Sequence, residues 1–174
     1  PIKLQLTGAV TLGLALHAVG VPTDRAFAVA GAAVRARAKG LVAAAVAAAP
    51  KAPLVVFVDE PGLVGAMHPG FPIDTNHTID LVSSVLATLE PHATTGLHCC
   101  GSADWRVALQ TGPQILSLPI DHGAVDHAGA IGTFLDQGGW GAWGAVPTTG
   151  PLGTRDERLW QQLSAEWASL TAAG

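Results

Sequence analysis

The sequence predicts an α/β protein of the TIM, or (β/α)8-barrel, type, present in part as about five βα units with sequential parallel strands. Two observations carry this. Short β-branched or apolar runs alternate with helical segments along the chain, the pattern of a parallel sheet covered by helices. The unusual polar residues gather just after the strands, at Thr7-Gly8, Asp59-Glu60, His98 to Cys100, Asp121-His122 and Thr148-Thr149. In a barrel that end of the strands is the active face. A doubly wound open sheet satisfies the alternation too, but no GxGxxG or Walker A stretch follows a strand, which weakens its nucleotide-binding form.

Each element has its own signal. "IKLQLTG" is a strand ending in a glycine turn, and a long Ala-rich helix runs from Pro22 to about Ala49, with Thr23-Asp24 as cap and acidic first turn. "PLVVFVDEPG" is a β-branched run closed by Pro61-Gly62, as expected of a buried parallel strand. After a loop rich in Gly, Pro, His and Asp, "HTIDLVSSVLATLEP" is helical, with Leu81, Val85 and Leu89 four apart. "ATTGLHCCG" is a strand, "SADWRVALQTG" a short helix capped by Ser102, and "QILSLPID" a strand. "AGAIGTFLDQGG" is a helix stopped by Gly138-Gly139, "WGAWGAVP" a fifth strand, and "TRDERLWQQLSAEWASLTAAG" a final amphipathic helix.

The 174 residues read as a single domain, 1–174, with a core of its own. With 49% hydrophobic and 13% charged residues the chain is globular rather than disordered. A net charge of −4 without a Lys/Arg cluster gives no footprint for nucleic acid or an anionic membrane. "GLVAAAVAAAP" is about half of what spans a bilayer. Two adjacent cysteines make no disulfide framework, so a reducing cytoplasm is the expected compartment. A closed barrel needs eight strands in about 250 residues. The start at Pro1, straight into a strand, therefore reads as a segment of something longer. The two open edges should be covered by further barrel strands or by another chain in an oligomer.

The chemistry is expected at "GLHCCGS", which holds the only two cysteines. Residues i and i+2 of a strand face the same way, about 6.5–7 Å apart. His98 and Cys100 therefore share a face, where an imidazole and a thiolate can reach one Zn2+, and Cys99 packs on the other as a small hydrophobe. The competing reading is that all three are buried without a ligand. A third donor comes from the next strand: Asp121 shares the parity of Ser117 and Pro119 and ends "QILSLPID". His122 competes for that role, and an Asp at such a junction is also an ordinary turn former or cap.

In this order "KLQLTGAVTL", "FVDEPGL" and "LHCCGS" resemble the K-x-x-LTGPVT, DEPAL and H-x-C-Y-S motifs of the catalytic barrel of cobalamin-independent methionine synthase, in the uroporphyrinogen decarboxylase-like superfamily. The resemblance covers nearly the whole chain. It implies a zinc-dependent S-methyltransferase acting on the thiol of homocysteine or a related small molecule, with His98, Cys100 and Asp121 as metal ligands. It also implies Asp59, with Glu60 beside it, as the substrate-binding group for the amino end of the acceptor. Ala9 stands where the family has proline, and His-Cys-Cys-Gly leans toward the wider superfamily. A corrinoid-dependent methyltransferase, a decarboxylase, or an incomplete barrel needing a partner are thus alternatives. The family's last cysteine ligand falls just past Gly174, its proton-donor histidine near Thr148-Thr149, its folate-stacking tryptophan on Ala15 and a glutamate on Gly65. The methyl donor is therefore left open.

Other marked residues read as structural. His68 and His77 lie in a long loop over the barrel mouth, and His17 stands alone. Trp140 and Trp143 should face opposite sides of a strand, and Trp160 and Trp167 share a helix face.

Overall fold

In a computed structural model, which describes residues 1–120, 122–146 and 156–173, the chain is α/β with one all-parallel sheet. Its strands are β1 (Ile2–Thr7), β2 (Leu54–Asp59), β3 (Thr94–His98), β4 (Ile115–Pro119) and β5 (Trp140–Gly144), hydrogen-bonded in the order β1-β2-β3-β4-β5. Helices α1 (Ala9–Ala18) and α2 (Thr23–Ala48) join β1 to β2. Helices α3 (Thr75–Leu89), α4 (Trp105–Gln110) and α5 (Ala128–Asp136) fill the next three crossovers, and α6 (Asp156–Ala173) follows β5. Right-handed crossovers that all step the same way leave their helices on one face of the sheet. Consecutive helices accordingly pack on one another, from α1 on α2 through to α5 on α6. Among the described residues β1 and β5 do not pair, so the sheet is open at both edges. No described helix is long and apolar enough to cross a membrane.

The two faces of the sheet differ in chemistry. Under the helices lies the core: Leu6, Val58, Leu97 and Leu116 are in register across four strands and all are buried. Val82, Val85 and Leu89 of α3 and Phe27 of α2 belong to the buried helical side. The bare face begins with Lys3, Gln5 and Thr7 of β1, all exposed, and crosses to Phe57 and Asp59 of β2. Phe57 is only 7% exposed there, because its ring lies over Gly96, where any Cβ would collide with it.

Several boundaries differ from expectation, each for a local reason. Helix α1 has no signal of its own in the sequence; Glu60, just past the end of β2, accepts from the N–H groups of Val10 and Thr11 in its first turn. Helix α3 starts at Thr75 rather than His77, because Asp74 Oδ1 accepts the His77 N–H at 2.8 Å. Asp104, not Ser102, caps α4, accepting from the N–H groups of Arg106 (3.0 Å) and Val107 (3.1 Å). Such a cap stabilises a helix by about 1 kcal/mol. Helix α2 does begin at Thr23, but with no side-chain cap. Strand β4 ends at Pro119, so the strand run expected to reach Asp121 is shorter, and Asp121, Thr148 and Thr149 lie outside the described residues.

Candidate functional site

A row of polar residues crosses the C-terminal edge of the bare face. Register pairs Thr7 with Asp59, Asp59 with His98, His98 with Ser117, and Ser117 with Ala142. Neighbouring strands lie about 4.8 Å apart, so Thr7 to Ser117 spans about 14 Å. The row borders a cleft of about 450 Å³ whose lining includes Lys3, Gln5, Phe57, Asp59, His98, Cys100 and Ser117.

His98 and Cys100 are on the same side, as strand parity requires, and Cys99 is on the other. Cys100 is exposed at the cleft, whereas Cys99 is buried in the core, its Sγ 3.7 Å from the Gly101 carbonyl. The backbone holds this junction in place: Glu60 N–H donates to the His98 carbonyl (2.8 Å) and Cys99 N–H to the Ser117 carbonyl (3.2 Å). On the side-chain level His98 Nδ1 lies 3.1 Å from Ser117 Oγ. Burial pushes the Asp59 carboxyl up from its ordinary value, and the nearby His98 and Lys3 pull it partly back.

Glu60, expected beside Asp59 at a substrate, is not in the cleft. It is 0% exposed and turned to the helical side, where its carboxylate accepts from the N–H groups of Val10 (2.9 Å) and Thr11 (2.8 Å) and from Thr11 Oγ1 (2.7 Å). Those are orphan donors of the first turn of α1, and an anion there also meets the positive end of the helix dipole. Gly8 makes the approach possible, since a Cβ on it would overlap the Glu60 carboxyl. Adjacent positions on an extended chain point to opposite faces, so Asp59 and Glu60 could not both serve one cleft.

His98 and Cys100 offer one imidazole and one thiol, donors that suit zinc. Asp59 shares their cleft, but among the described residues no three His, Cys, Asp or Glu side chains come together as a metal-holding group. His122, the competitor for the third place, has Nδ1 3.1 Å from the Ile120 carbonyl, and its own carbonyl accepts from the buried Trp105 indole at 2.9 Å. His77 is drawn against Phe27, ring centroids 6.1 Å apart, while His68 is exposed. Sequence reasoning missed Lys3, Gln5 and Phe57 as cleft residues, and Ser117 as the partner of His98. The signal was present in "IKLQLT", whose strict alternation marks a strand with one solvated side.

A second, apolar pocket of about 280 Å³ is lined by Trp143, Trp160, Leu163, Ser164 and Trp167, with Trp143 and Trp167 edge-to-face at 6.5 Å. Trp140 points the other way and is 71% exposed. The opposed indoles of β5 and the shared face of α6 are as their spacings predict. No family model, curated protein or solved structure matches the chain.

Proposed function

We propose that the cleft on the bare face is the site of a zinc-dependent S-methyltransferase whose acceptor is the thiol of homocysteine or a related amino thiol. The observation that supports this most is the division of the cysteines: Cys100 shares the cleft with His98 and Asp59, and Cys99 does not. In this reading His98 and Cys100 hold the ion with a third donor, for which Asp121 is the choice two positions beyond the end of β4. A bound zinc would lower the pKa of a substrate thiol, so that thiolate exists at neutral pH. The chain's own residues do the rest. Asp59 accepts a charge-assisted hydrogen bond from the substrate ammonium and fixes the acceptor one strand away from His98, which is proximity catalysis. Ser117 holds the His98 ring by its Nδ1. The thiolate sulfur then forms a bond to the methyl carbon of a donor, and that carbon's bond to the donor breaks with its electron pair leaving on the donor.

The same reading makes the sheet part of a (β/α)8-barrel wall. Sequential strand order and a polar face opposite the helices support it, and further strands or a second chain would cover the edges of β1 and β5.

X-ray absorption of the zinc-loaded chain tests the proposal. Titration with homocysteine should add one sulfur to the metal's coordination shell in the wild-type protein. An unchanged sulfur count at saturating thiol would rule out direct thiol activation.

A further inference from the structure

The floor of the cleft carries a feature that the zinc and Asp59 roles do not use. Lys3 Nζ stands 4.8 Å from the centroid of the Phe57 ring and donates to Gln5 Oε1 at 3.1 Å. The ring can lie there because Gly96 has no side chain to lift it. A cation over an aromatic face is attracted by the negative face of the ring, which biases a flexible lysine toward one position. All three side chains line the same cleft as Asp59, His98 and Cys100. The cleft therefore holds a cation at its floor, a carboxylate above it, and an imidazole and thiol at its rim.

Given the proposed function, on which this rests, we infer that Lys3, steadied by Phe57 and Gln5, binds the α-carboxylate of the acceptor and makes the site specific for amino acids over plain amines. The order of the groups along the strands agrees. Gln5 and Phe57 are in register, and so are Thr7 and Asp59, two residues further along the strands. That step is about 6.5–7 Å. The ammonium and the carboxylate of an α-amino acid sit on one carbon atom, so a carboxylate and a cation on neighbouring strands of one cleft can each take one of them. The amino acid's side chain then runs toward the neighbouring strand, where His98 and Cys100 wait. Gln5 adds amide N–H donors beside the ammonium, a set suited to an oxyanion and without use for an uncharged group.

The test compares L-homocysteine with 3-mercaptopropylamine, the same amino thiol without its carboxylate, by calorimetry on the zinc-loaded full chain. Wild-type protein should prefer homocysteine by about 10–100-fold, the range for a hydrogen bond to a charged group. Lys3→Met, which keeps a straight chain over Phe57, should weaken homocysteine by about that factor and leave the amine unchanged; Lys3→Arg should retain the preference. Equal wild-type affinity for the two ligands, or equal loss of both in Lys3→Met, would overturn the carboxylate role and leave the amino-thiol reading standing. Binding of neither ligand by the wild-type protein would overturn both.

Discussion

His98 Nδ1 and Ser117 Oγ are 3.1 Å apart, a bond between the ends of two neighbouring parallel strands whose residues are in direct register. In the tautomer whose Nδ1–H donates to the hydroxyl, the Nε2 lone pair is left for a ligand, and that is the tautomer a zinc-holding His98 requires. Partners of this kind raise metal affinity by about 10–100-fold. Ser117→Ala should therefore weaken zinc binding by about that factor, measured by competition with a chromogenic chelator. Ser117→Thr should restore it. Nitrogen-15 NMR of the His98 ring should show mixed tautomers only in the alanine variant; an unaltered ring there would assign the bond no orienting role.

The two adjacent thiols should differ in reactivity. Cys100 is exposed and Cys99 is buried, its thiol pushed up chiefly by desolvation. One equivalent of iodoacetamide should label Cys100 in the native apo chain, and Cys99 only after denaturant is added. Peptide mass mapping reads the sites. Comparable labelling of both in the native state contradicts the placement of Cys99 in the core.

Gly8 should be intolerant of even one carbon. Its Cβ would fall on the Glu60 carboxyl, and displacing that group would strip the first turn of α1 of its acceptor. Overpacking of this kind costs about 1–3 kcal/mol, so urea unfolding of Gly8→Ala should show a loss in that range. A neutral Gly8→Ala would mean that Glu60 has another place to go.

Glu60 also predicts a pH dependence. Burial pushes its carboxyl above the ordinary 4.5, and the Thr11 hydroxyl and the N–H groups of Val10, Thr11 and Ala9 offset only part of this. The folded chain then binds the proton more tightly than the unfolded one. The resulting stability is full below the unfolded pKa and is lost as pH rises through the folded value. The stability of wild-type protein minus that of Glu60→Gln should therefore decline as pH rises from the ordinary carboxyl value of 4.5 through the raised folded value. Urea titrations that show this difference rising with pH would reverse the assigned direction.

Strand positions and parity were legible in the sequence because both depend on short-range patterns. "LVVFVD" carries three valines among its six residues, and i, i+2 geometry alone divides His98 and Cys100 from Cys99. The order β1-β2-β3-β4-β5 agrees with the barrel reading, for which the polar residues at the strand ends are the signal, since βα alternation alone also fits a doubly wound sheet. What stayed hidden depended on partners distant in sequence. Helix α1 is capped by a carboxylate 50 positions away from Val10, and no local window shows that. The resemblance of "FVDEPGL" to a family motif sets Glu60 beside Asp59 at a substrate, although adjacency on an extended chain is what sends the two to opposite faces. The His98–Ser117 bond joins residues 19 apart, visible only once β3 and β4 are in register.

The central claim is that His98 and Cys100 hold zinc in this cleft, and elemental analysis of chain prepared without chelators tests it most directly. The account predicts one zinc per chain in the wild-type protein, kept in Cys99→Ser and lost in Cys100→Ser and in His98→Ala. A wild-type chain free of zinc after zinc-replete expression, or equal loss from Cys99→Ser and Cys100→Ser, would contradict it.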